Sequence, residues 1–455
     1  MSQSSALSYL IKNAQVVNEG KIFSGDCLIQ DGRIARIESS ISSVKVDKEI
    51  DAKGLFLIPG MIDDQVHFRE PGFPLKADFA SESRAAVAGG VTSFMEMPNT
   101  APATTNRHAL RDKYKRAANR SWGNYAFYFG ATEHNLEEIK NLDREACAGL
   151  KVFMGASTGN LLVQNPVALE KIFQHSPVLI VTHCEDSPTI ERNQKSLQEE
   201  LKRPLQIQDH PHIRSAEACY ASSSLAVGLA KKFDARLHVL HLTTEKELAL
   251  FTQAKSKRIT AEVCVHHLTF TSDDYASLGN LIKCNPAIKF PSDRAALRKA
   301  VNSGLLDVIA TDHAPHTWQE KRLPFEQAPA GLPLVQHVLL ALFELVLDGE
   351  FTLPLVVEKT SHAVANLYGI EKRGYLREGY WADLALVDLI GSPQPAQPPA
   401  YRCGWSPFLQ KQFRSKIVGT WVNGQLAHYA DEWIGQPQGQ PLGCQAMREK
   451  TYKVN

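Results

Sequence analysis

Three features are missing from the sequence: a long apolar run, an excess of charge of one sign and a paired-cysteine motif. No run of ~20 apolar residues occurs, so we expect no transmembrane helix. The formal charge of +1 arises from 50 basic and 49 acidic residues, a balance that argues against a nucleic-acid-binding or polybasic membrane-binding surface. The eight cysteines form no CxxC pair, and the first residues lack the pattern of a secretion signal. We therefore expect reduced thiols and a cytoplasmic protein.

The secondary structure that the sequence predicts changes twice along the 455 residues. Residues 9–58 have the pattern of short strands, with a hairpin predicted at Asp31-Gly32. From residue 60 to about 365, apolar strands alternate with helical segments, including Ala216–Lys232, Glu245–Ser256 and Ser292–Asn302. Short strands return from about residue 375, with a second hairpin predicted at Asn423-Gly424.

This arrangement predicts an α/β fold with a TIM-type (β/α)8 barrel, because strands alternating with helices form a parallel sheet and about eight such units close it. Residues 59–370 are expected to form the barrel. Residues 1–58 are too short to close a core of their own, and residues 371–455, which end in a polar tail, are β-rich as well. We therefore expect the two regions to pair into one flanking β-sandwich.

The most unusual stretch runs from Pro59 to Gly72 and is rich in polar residues. Strand alternation predicts that Asp63, Gln65, His67 and Arg69 share one face. Burying these groups is costly unless they have partners, and a metal with an anionic ligand would supply them. The alternative is an edge strand whose polar side chains face water.

Further polar residues follow apolar strands: Lys151, His183, His241 and Asp312. A buried lysine has a lowered pKa, and its neutral amine can add carbon dioxide to form a carbamate. Neutral imidazoles and carboxylates suit zinc or a similar divalent ion. The alternatives are an ion-paired lysine, histidines bonded within the core, and an aspartate that caps a turn.

The adjacent pair His266-His267 is a weaker candidate. Neighbouring residues of a strand face opposite ways, so at most one of the two rings is expected to point at such a site.

With these residues in view, the chain resembles the dihydroorotases of the amidohydrolase superfamily over almost its whole length. Three motifs carry the resemblance: His67-Phe-Arg-Glu-Pro-Gly72, Met95-Glu-Met-Pro-Asn-Thr100 and Asp312-His-Ala-Pro-His316. The resemblance implies roles for individual residues. The implied metal ligands are His67, Lys151 as its carbamate, His183, His241 and Asp312; Asp312 is also the implied catalytic base and acid; the implied substrate-binding residues are Arg69, Asn99, Asn285, His316, Ala330 and Gly331.

One position departs from the family. The family has His-x-His where this chain has Gln65-Val-His67. An amide oxygen is a weaker ligand than imidazole, so Gln65 is a doubtful ligand. The resemblance therefore implies one or two zinc ions per chain, with carboxylated Lys151 as the bridging ligand.

The reaction that the resemblance implies is the reversible, metal-assisted hydrolysis of (S)-dihydroorotate to N-carbamoyl-L-aspartate in pyrimidine (UMP) biosynthesis. The implied partner is this small anionic substrate, with no nucleic acid or membrane, and the family suggests a homodimer. Two alternatives stay open. One is a cyclic amidase of the hydantoinase, dihydropyrimidinase or allantoinase type; the other is a non-catalytic partner of aspartate transcarbamoylase.

Overall fold

The computed structural model describes residues 7–143, 146–155, 159–254, 257–389 and 391–444. Within these ranges no helix is both long and apolar enough to cross a membrane. All eight cysteines are free thiols, as predicted.

Parallel strands form a barrel in the middle of the chain, which confirms the predicted TIM-type fold. The third strand bends at Tyr128. Before the bend it pairs with the strand Val91–Glu96, and after the bend it pairs with the strand Leu150–Phe153. The last strand returns to the first through a parallel bridge between Val66 and His313, and His67 N–H donates to His313 O at 2.7 Å. In order around the barrel, the strands of the described chain are Met61–Val66, Val91–Glu96, Asn124–Phe127 with Phe129–Gly130, Leu150–Phe153, Ile180–His183, Leu237–Val239, Ile259–Cys264 and Val308–Ala310.

Helices surround these strands, and the main apolar core lies between the two layers. Most begin at a capping side chain; Ser215, for example, accepts from Ala218 N–H. The α-helices are Phe79–Ala88, Arg107–Ala117, Leu136–Lys140, Pro166–His175, Ser187–Leu201, His210–Ile213, Ala216–Phe233, Glu245–Leu248, Val265–Thr269, Tyr275–Leu278, Pro291–Asn302, Trp318–Lys321, Val338–Leu347, Leu353–Val357 and Ala363–Tyr368, the last two joined by the π-helical turn Glu358–His362. Short 3-10 turns occupy Gly159–Leu161, Ile207–Asp209, Ser272–Asp274 and Gly279–Ile282.

Two of the predicted helices, Ala216–Lys232 and Ser292–Asn302, are confirmed within one residue at each end. The prediction of a helix over Glu245–Ser256 is wrong, because the helix ends at Leu248. There the chain turns to bury Phe251, whose N–H donates to Leu248 O. Ser256 lies outside the described residues.

The two terminal regions pair into one sheet, as predicted. Phe56–Pro59 is antiparallel to Leu384–Asp388. The sheet folds over a core of its own, since Tyr9 and Trp421, three strands apart, bring their ring centroids to 6.3 Å. Its strands are Tyr9–Asn18, Lys21–Gln30, Arg33–Glu38, Lys48–Asp51, Phe56–Pro59, Leu384–Asp388, Lys416–Val422, Gln425–Tyr429 and Glu432–Trp433; a separate pair joins Gln394–Pro395 to Gln412–Phe413.

Both predicted hairpin turns are confirmed. Asp31 and Gly32 have φ of 50° and 76°, and Asn423 and Gly424 have φ of 52° and 77°. Two consecutive residues with positive φ match the right-handed twist of the strands that they connect.

The strict alternation predicted for the first barrel strand is wrong. Residues 63–66 lie opposite residues 94–96, so this segment carries one residue more than its neighbour and forms a bulge. A shift of the opposite sense precedes it, since residues 61–62 lie opposite residues 91–93. The bulge lets Asp64 and Gln65, adjacent in sequence, both make contacts inside the barrel. Both side chains are buried, and the strand has neighbours on both sides, so the edge-strand alternative is also wrong.

Candidate active site

A cavity of about 390 Å³ opens at the carboxyl ends of the barrel strands. Every predicted site residue lines it, although these residues are spread over most of the barrel sequence. Their individual roles remain predictions. The cavity is lined by Gln65, His67, Arg69, Asn99, Lys151, His183, His241, Asn285, Asp312, His316, Ala330 and Gly331, together with Phe153, Arg214, Ala314 and Pro329, which the sequence did not single out.

On one side of the cavity, His67 lies between Asn99 and Asp312. Its Nδ1 is 2.7 Å from Asn99 Oδ1, and its Nε2 is 3.1 Å from Asp312 Oδ1. Burial lowers the pKa of His67, which favours the neutral ring. Because the Asn99 oxygen can only accept, the proton of the neutral ring lies on Nδ1. The lone pair of Nε2 then faces the Asp312 carboxylate.

Gln65 reaches the same carboxylate. Its Nε2 donates to Asp312 Oδ1 at 3.1 Å, and its Oε1 accepts from the thiol of Cys264, whose Sγ is 3.7 Å away. Burial raises the pKa of Cys264 well above its usual value, so the thiol keeps its proton. The amide therefore turns its nitrogen to Asp312 and its oxygen to Cys264.

His183 and His241 meet on the other side. The Nδ1 of His183 is 3.0 Å from the Nε2 of His241, while the Nε2 of His183 is 3.0 Å from Glu185 Oε2. Burial lowers the pKa of both rings. Burial opposes the charge on Glu185, but Arg214 and His183 lower its pKa to about 2. The anionic Glu185 therefore accepts the His183 proton at Nε2, and the lone pair of Nδ1 is left facing His241.

Lys151, in the strand Leu150–Phe153, lines the same cavity as these two groups. The side chain is 1% exposed, and its Nζ lies 4.7 Å from the ring centroid of Phe153. Among the described residues no hydrogen bond contributes to its pKa, which only burial and nearby charges shift. Burial lowers its pKa to about 8, so a sizeable fraction of the amine is neutral and nucleophilic near neutral pH.

The far end of the cavity is cationic. Burial lowers the pKa of Arg69 to about 10, so its guanidinium stays charged at neutral pH. Arg69 Nη2 is 3.1 Å from His316 Nε2, and Lys76 Nζ donates to His316 Nδ1 at 3.0 Å. Since His316 accepts through Nδ1, its proton lies on Nε2 and is donated to Ala330 O at 3.0 Å. Arg69 thus faces the protonated nitrogen of His316, and no carboxylate pairs with the guanidinium in the described residues.

The loop around Gly331 forms the third wall. Gly331 has φ of 140°, and a Cβ there would lie 2.5 Å from Ala314 O. Only glycine suits this close approach. The loop is held by Lys321, whose buried Nζ donates to Pro329 O and Gly331 O. Across the cavity mouth, Asn285 Oδ1 is buried and has no hydrogen-bond partner in the described chain.

The donor set fits a divalent cation. His67 Nε2 faces Asp312 Oδ1 lone pair to lone pair, and such a pair repels unless a cation lies between the two atoms. On the other side, His183 Nδ1 and His241 Nε2 lie 3.0 Å apart, where both nitrogens can reach one ion. Neutral imidazoles with a carboxylate are ligands that zinc accepts. In addition, Asn99 and Glu185 fix the tautomers of His67 and His183, as outer partners do for metal-binding histidines.

Glu185 and Arg214 were missed from the sequence. Glu185 follows His183 by two residues, in Val181-Thr-His-Cys-Glu185, and this proximity was the available signal. Arg214 lies on a separate loop after the helix His210–Ile213, and no local pattern connects it to the site.

The interpretation of His266 and His267 as strand residues is wrong. They lie on the helix Val265–Thr269, with ring centroids 4.0 Å apart. Neither ring lines the cavity. On a helix, adjacent residues are only about 100° apart, so both rings can turn into the same buried space.

Known proteins are similar to this chain over most of its length. A family profile described as amidohydrolase family matches residues 56–427. The dihydroorotase of Methanosarcina acetivorans is 31% identical over 88% of this chain and 87% of its own, and that of Carboxydothermus hydrogenoformans is 33% identical over 84% and 89%. The solved L-hydantoinase (dihydropyrimidinase) of Arthrobacter aurescens is 27% identical, covers 96% of this chain and 100% of its own, and has a TM-score of 0.91. The chain is a hydrolase that belongs to the amidohydrolase family.

Proposed function

We propose that the cavity hydrolyses the ring amide of dihydroorotate to N-carbamoyl-aspartate, reversibly, in pyrimidine synthesis. The observation that carries the proposal is the pairing, in one cavity, of a cation-binding donor set with the cationic end at Arg69 and His316. The similarity to proteins named dihydroorotase supports the same substrate.

The cationic end suits the carboxylate of dihydroorotate. Arg69 has no carboxylate partner in the described chain, and its Nη2 lies 3.1 Å from Nε2 of His316, which donates to Ala330 O. A substrate carboxylate would pair with the guanidinium, whose planar fork offers it two parallel N–H bonds. An uncharged ring leaves the buried guanidinium without an anion. The geometry therefore favours a carboxylated ring over a neutral one.

The ring amide would lie over the opposite end, among His67, Lys151, His183, His241 and Asp312. We propose zinc for these ligands, with Lys151 as its carbamate; when bound, the metal polarises the amide carbonyl and makes water acidic enough to react at neutral pH. Asp312 is placed to accept a proton from the attacking water and to deliver it to the leaving ring nitrogen. Gln65 donates to Asp312 Oδ1 and holds it in place for both transfers.

Hydrolysis of a hydantoin or dihydropyrimidine is the second candidate, favoured by the close structural match to a hydantoinase. The two candidates share the fold and the metal donors. They differ at the cationic end, because those rings carry no carboxylate for Arg69 to bind.

The experiment compares kcat/KM for dihydroorotate and for uncharged dihydrouracil in the wild type and in Arg69→Met. We expect turnover of dihydroorotate, a loss of about 10- to 100-fold in R69M, and little change in any residual turnover of dihydrouracil, since a hydrogen bond to a charged group is lost for one substrate only. Arg36→Met, an exposed arginine of the terminal sheet, is the matched control. Faster turnover of dihydrouracil than of dihydroorotate by the wild type would favour the second candidate.

A further inference from the structure

Beneath the cavity, the barrel interior contains a second group of ionisable side chains that the proposed reaction does not use. Asp64, His238 and Glu262 come from three different strands and are each 0% exposed. None of them lines the cavity. Glu262 lies directly below it, since its Oε1 accepts from the backbone N–H of His241 at 3.2 Å.

A threonine holds the ring of His238. Thr260 Oγ1 lies 2.7 Å from His238 Nδ1 and 3.3 Å from Leu237 O. This contact at Nδ1 leaves Nε2 directed at the two carboxylates. A metal ion at Nε2 requires that Nδ1–H donates to Oγ1, which the 2.7 Å contact allows.

The distances around that nitrogen are too long for strong hydrogen bonds. Nε2 of His238 is 3.5 Å from Asp64 Oδ2 and 3.5 Å from Glu262 Oε2. Charge-assisted bonds shorten to about 2.7–2.9 Å. In contrast, two ligands of one tetrahedral ion, bound at about 2.0–2.1 Å, lie some 3.3–3.5 Å apart. All three ligand atoms lie within 4.8 Å of one another.

The two carboxylates also have oxygens without a hydrogen-bond partner in the described chain. Asp64 Oδ2 accepts from Tyr368 OH at 2.9 Å, and Asp64 Oδ1 and Glu262 Oε2 have no hydrogen-bond partner. Within the described ranges no lysine or arginine pairs with either group. Two buried carboxylates are costly unless a cation lies between them, and a divalent cation would balance both charges, whereas a protonated His238 balances one.

We propose that Asp64, His238 and Glu262 form a second metal site, which binds a divalent cation such as Zn²⁺ inside the barrel. Its ligands are one imidazole nitrogen and one oxygen from each carboxylate. The site connects three strands across the barrel, so its role is structural: the cation is enclosed when the strands close around it.

The competing occupant is a proton. Although burial favours the neutral ring, the two carboxylates raise the pKa of His238 to about 9. An imidazolium would draw the carboxylates to hydrogen-bonding distance, so the two occupants differ in geometry as well as in metal content.

The direct test is a crystal structure of the full chain grown with ZnCl₂, with anomalous difference maps recorded above and below the zinc absorption edge. We expect a zinc peak between His238 Nε2 and the two carboxylates, separate from any peak in the cavity above. No peak there, with Nε2 within about 2.9 Å of a carboxylate oxygen, would overturn the proposal in favour of the imidazolium.

Metal content gives a second, independent readout. Asp64→Asn keeps the side-chain shape but removes the charge, and we expect it to lower the zinc content by one ion per chain and to lower Tm. His428→Gln is the matched control, because His428 is a buried histidine of the terminal sheet that lies apart from any carboxylate pair. Unchanged zinc content in folded D64N would contradict the proposal; should D64N not fold, the anomalous map of the wild type decides.

Discussion

The side-chain nitrogen of Gln65 donates a hydrogen bond to Asp312 Oδ1 at 3.1 Å, with the amide oxygen turned away to Cys264. Burial by itself would raise the pKa of Asp312, but its neighbours lower it. The carboxylate is therefore ionised and accepts hydrogen bonds. At the position where the resemblance to dihydroorotases implies a metal-binding histidine, this chain thus places a donor that orients a carboxylate. Gln65 offers no lone pair to a cation in this arrangement.

This relationship predicts the metal content of Gln65 variants. Gln65→His restores an imidazole, and we expect the catalytic cavity to take up one more zinc ion per chain, visible as a new peak in an anomalous difference map. Gln65→Leu removes the donor without adding a ligand, so it should leave the zinc content unchanged and lower kcat more than it raises KM. Equal zinc occupancy of the cavity in wild type and Q65H would contradict the account.

Asp312→Asn tests the proton transfer. The amide keeps the size of the side chain but cannot accept the water proton, so we expect kcat to fall by about 10²- to 10⁴-fold. Thermal unfolding should be little changed, which separates chemistry from folding. Near-normal turnover by D312N would rule out the assigned role of Asp312 as the base.

Glu185→Gln tests the orientation of His183. Glu185 accepts the His183 proton and is itself bound by Arg214. Loss of the charge weakens the control of the His183 tautomer, so we expect zinc affinity to fall by about 10- to 100-fold, as for other outer partners of metal-binding histidines. Competition with a chelator measures this affinity. Glu170→Gln, an exposed glutamate on the helix Pro166–His175, is the control and should show the wild-type affinity.

The buried Lys321 should make the free energy of unfolding depend on pH. Burial lowers its pKa from 10.5 to about 7 in the folded protein. Between these values the unfolded chain binds the proton and the folded chain does not, so the free energy of unfolding rises with pH over this window and is flat below it. We expect urea unfolding to show this rise in the wild type relative to Lys321→Met. The control is Lys48→Met, at an exposed lysine, and its free energy of unfolding should change with pH as that of the wild type does. The same pH dependence in K321M and in the wild type would contradict the prediction.

The sequence was enough to predict that the site residues lie close together, because the carboxyl ends of all strands of a parallel barrel meet at one rim. Once His67, Lys151, His183 and His241 were placed at strand ends, the fold itself required them to be neighbours. The hairpins at Asp31-Gly32 and Asn423-Gly424 were likewise predictable, since two residues with positive φ need such sequences.

Other features depend on contacts that no local pattern records. The bulge at residues 63–66 inserts one residue, and this shift brings Asp64 to His238, on a strand far along the chain. Arg69, His241 and Asp312 all have positive φ, between 40° and 66°. Such backbone is strained for residues other than glycine and is stabilised only by the surrounding structure.

The most direct test of the account is to measure zinc content and dihydroorotate turnover on the same purified sample. We predict bound zinc and formation of N-carbamoyl-aspartate, with both lost after removal of metal by a chelator and both restored by adding ZnCl₂. Bound zinc with no turnover of dihydroorotate would contradict the proposed substrate, and neither zinc nor turnover would contradict catalysis at this cavity.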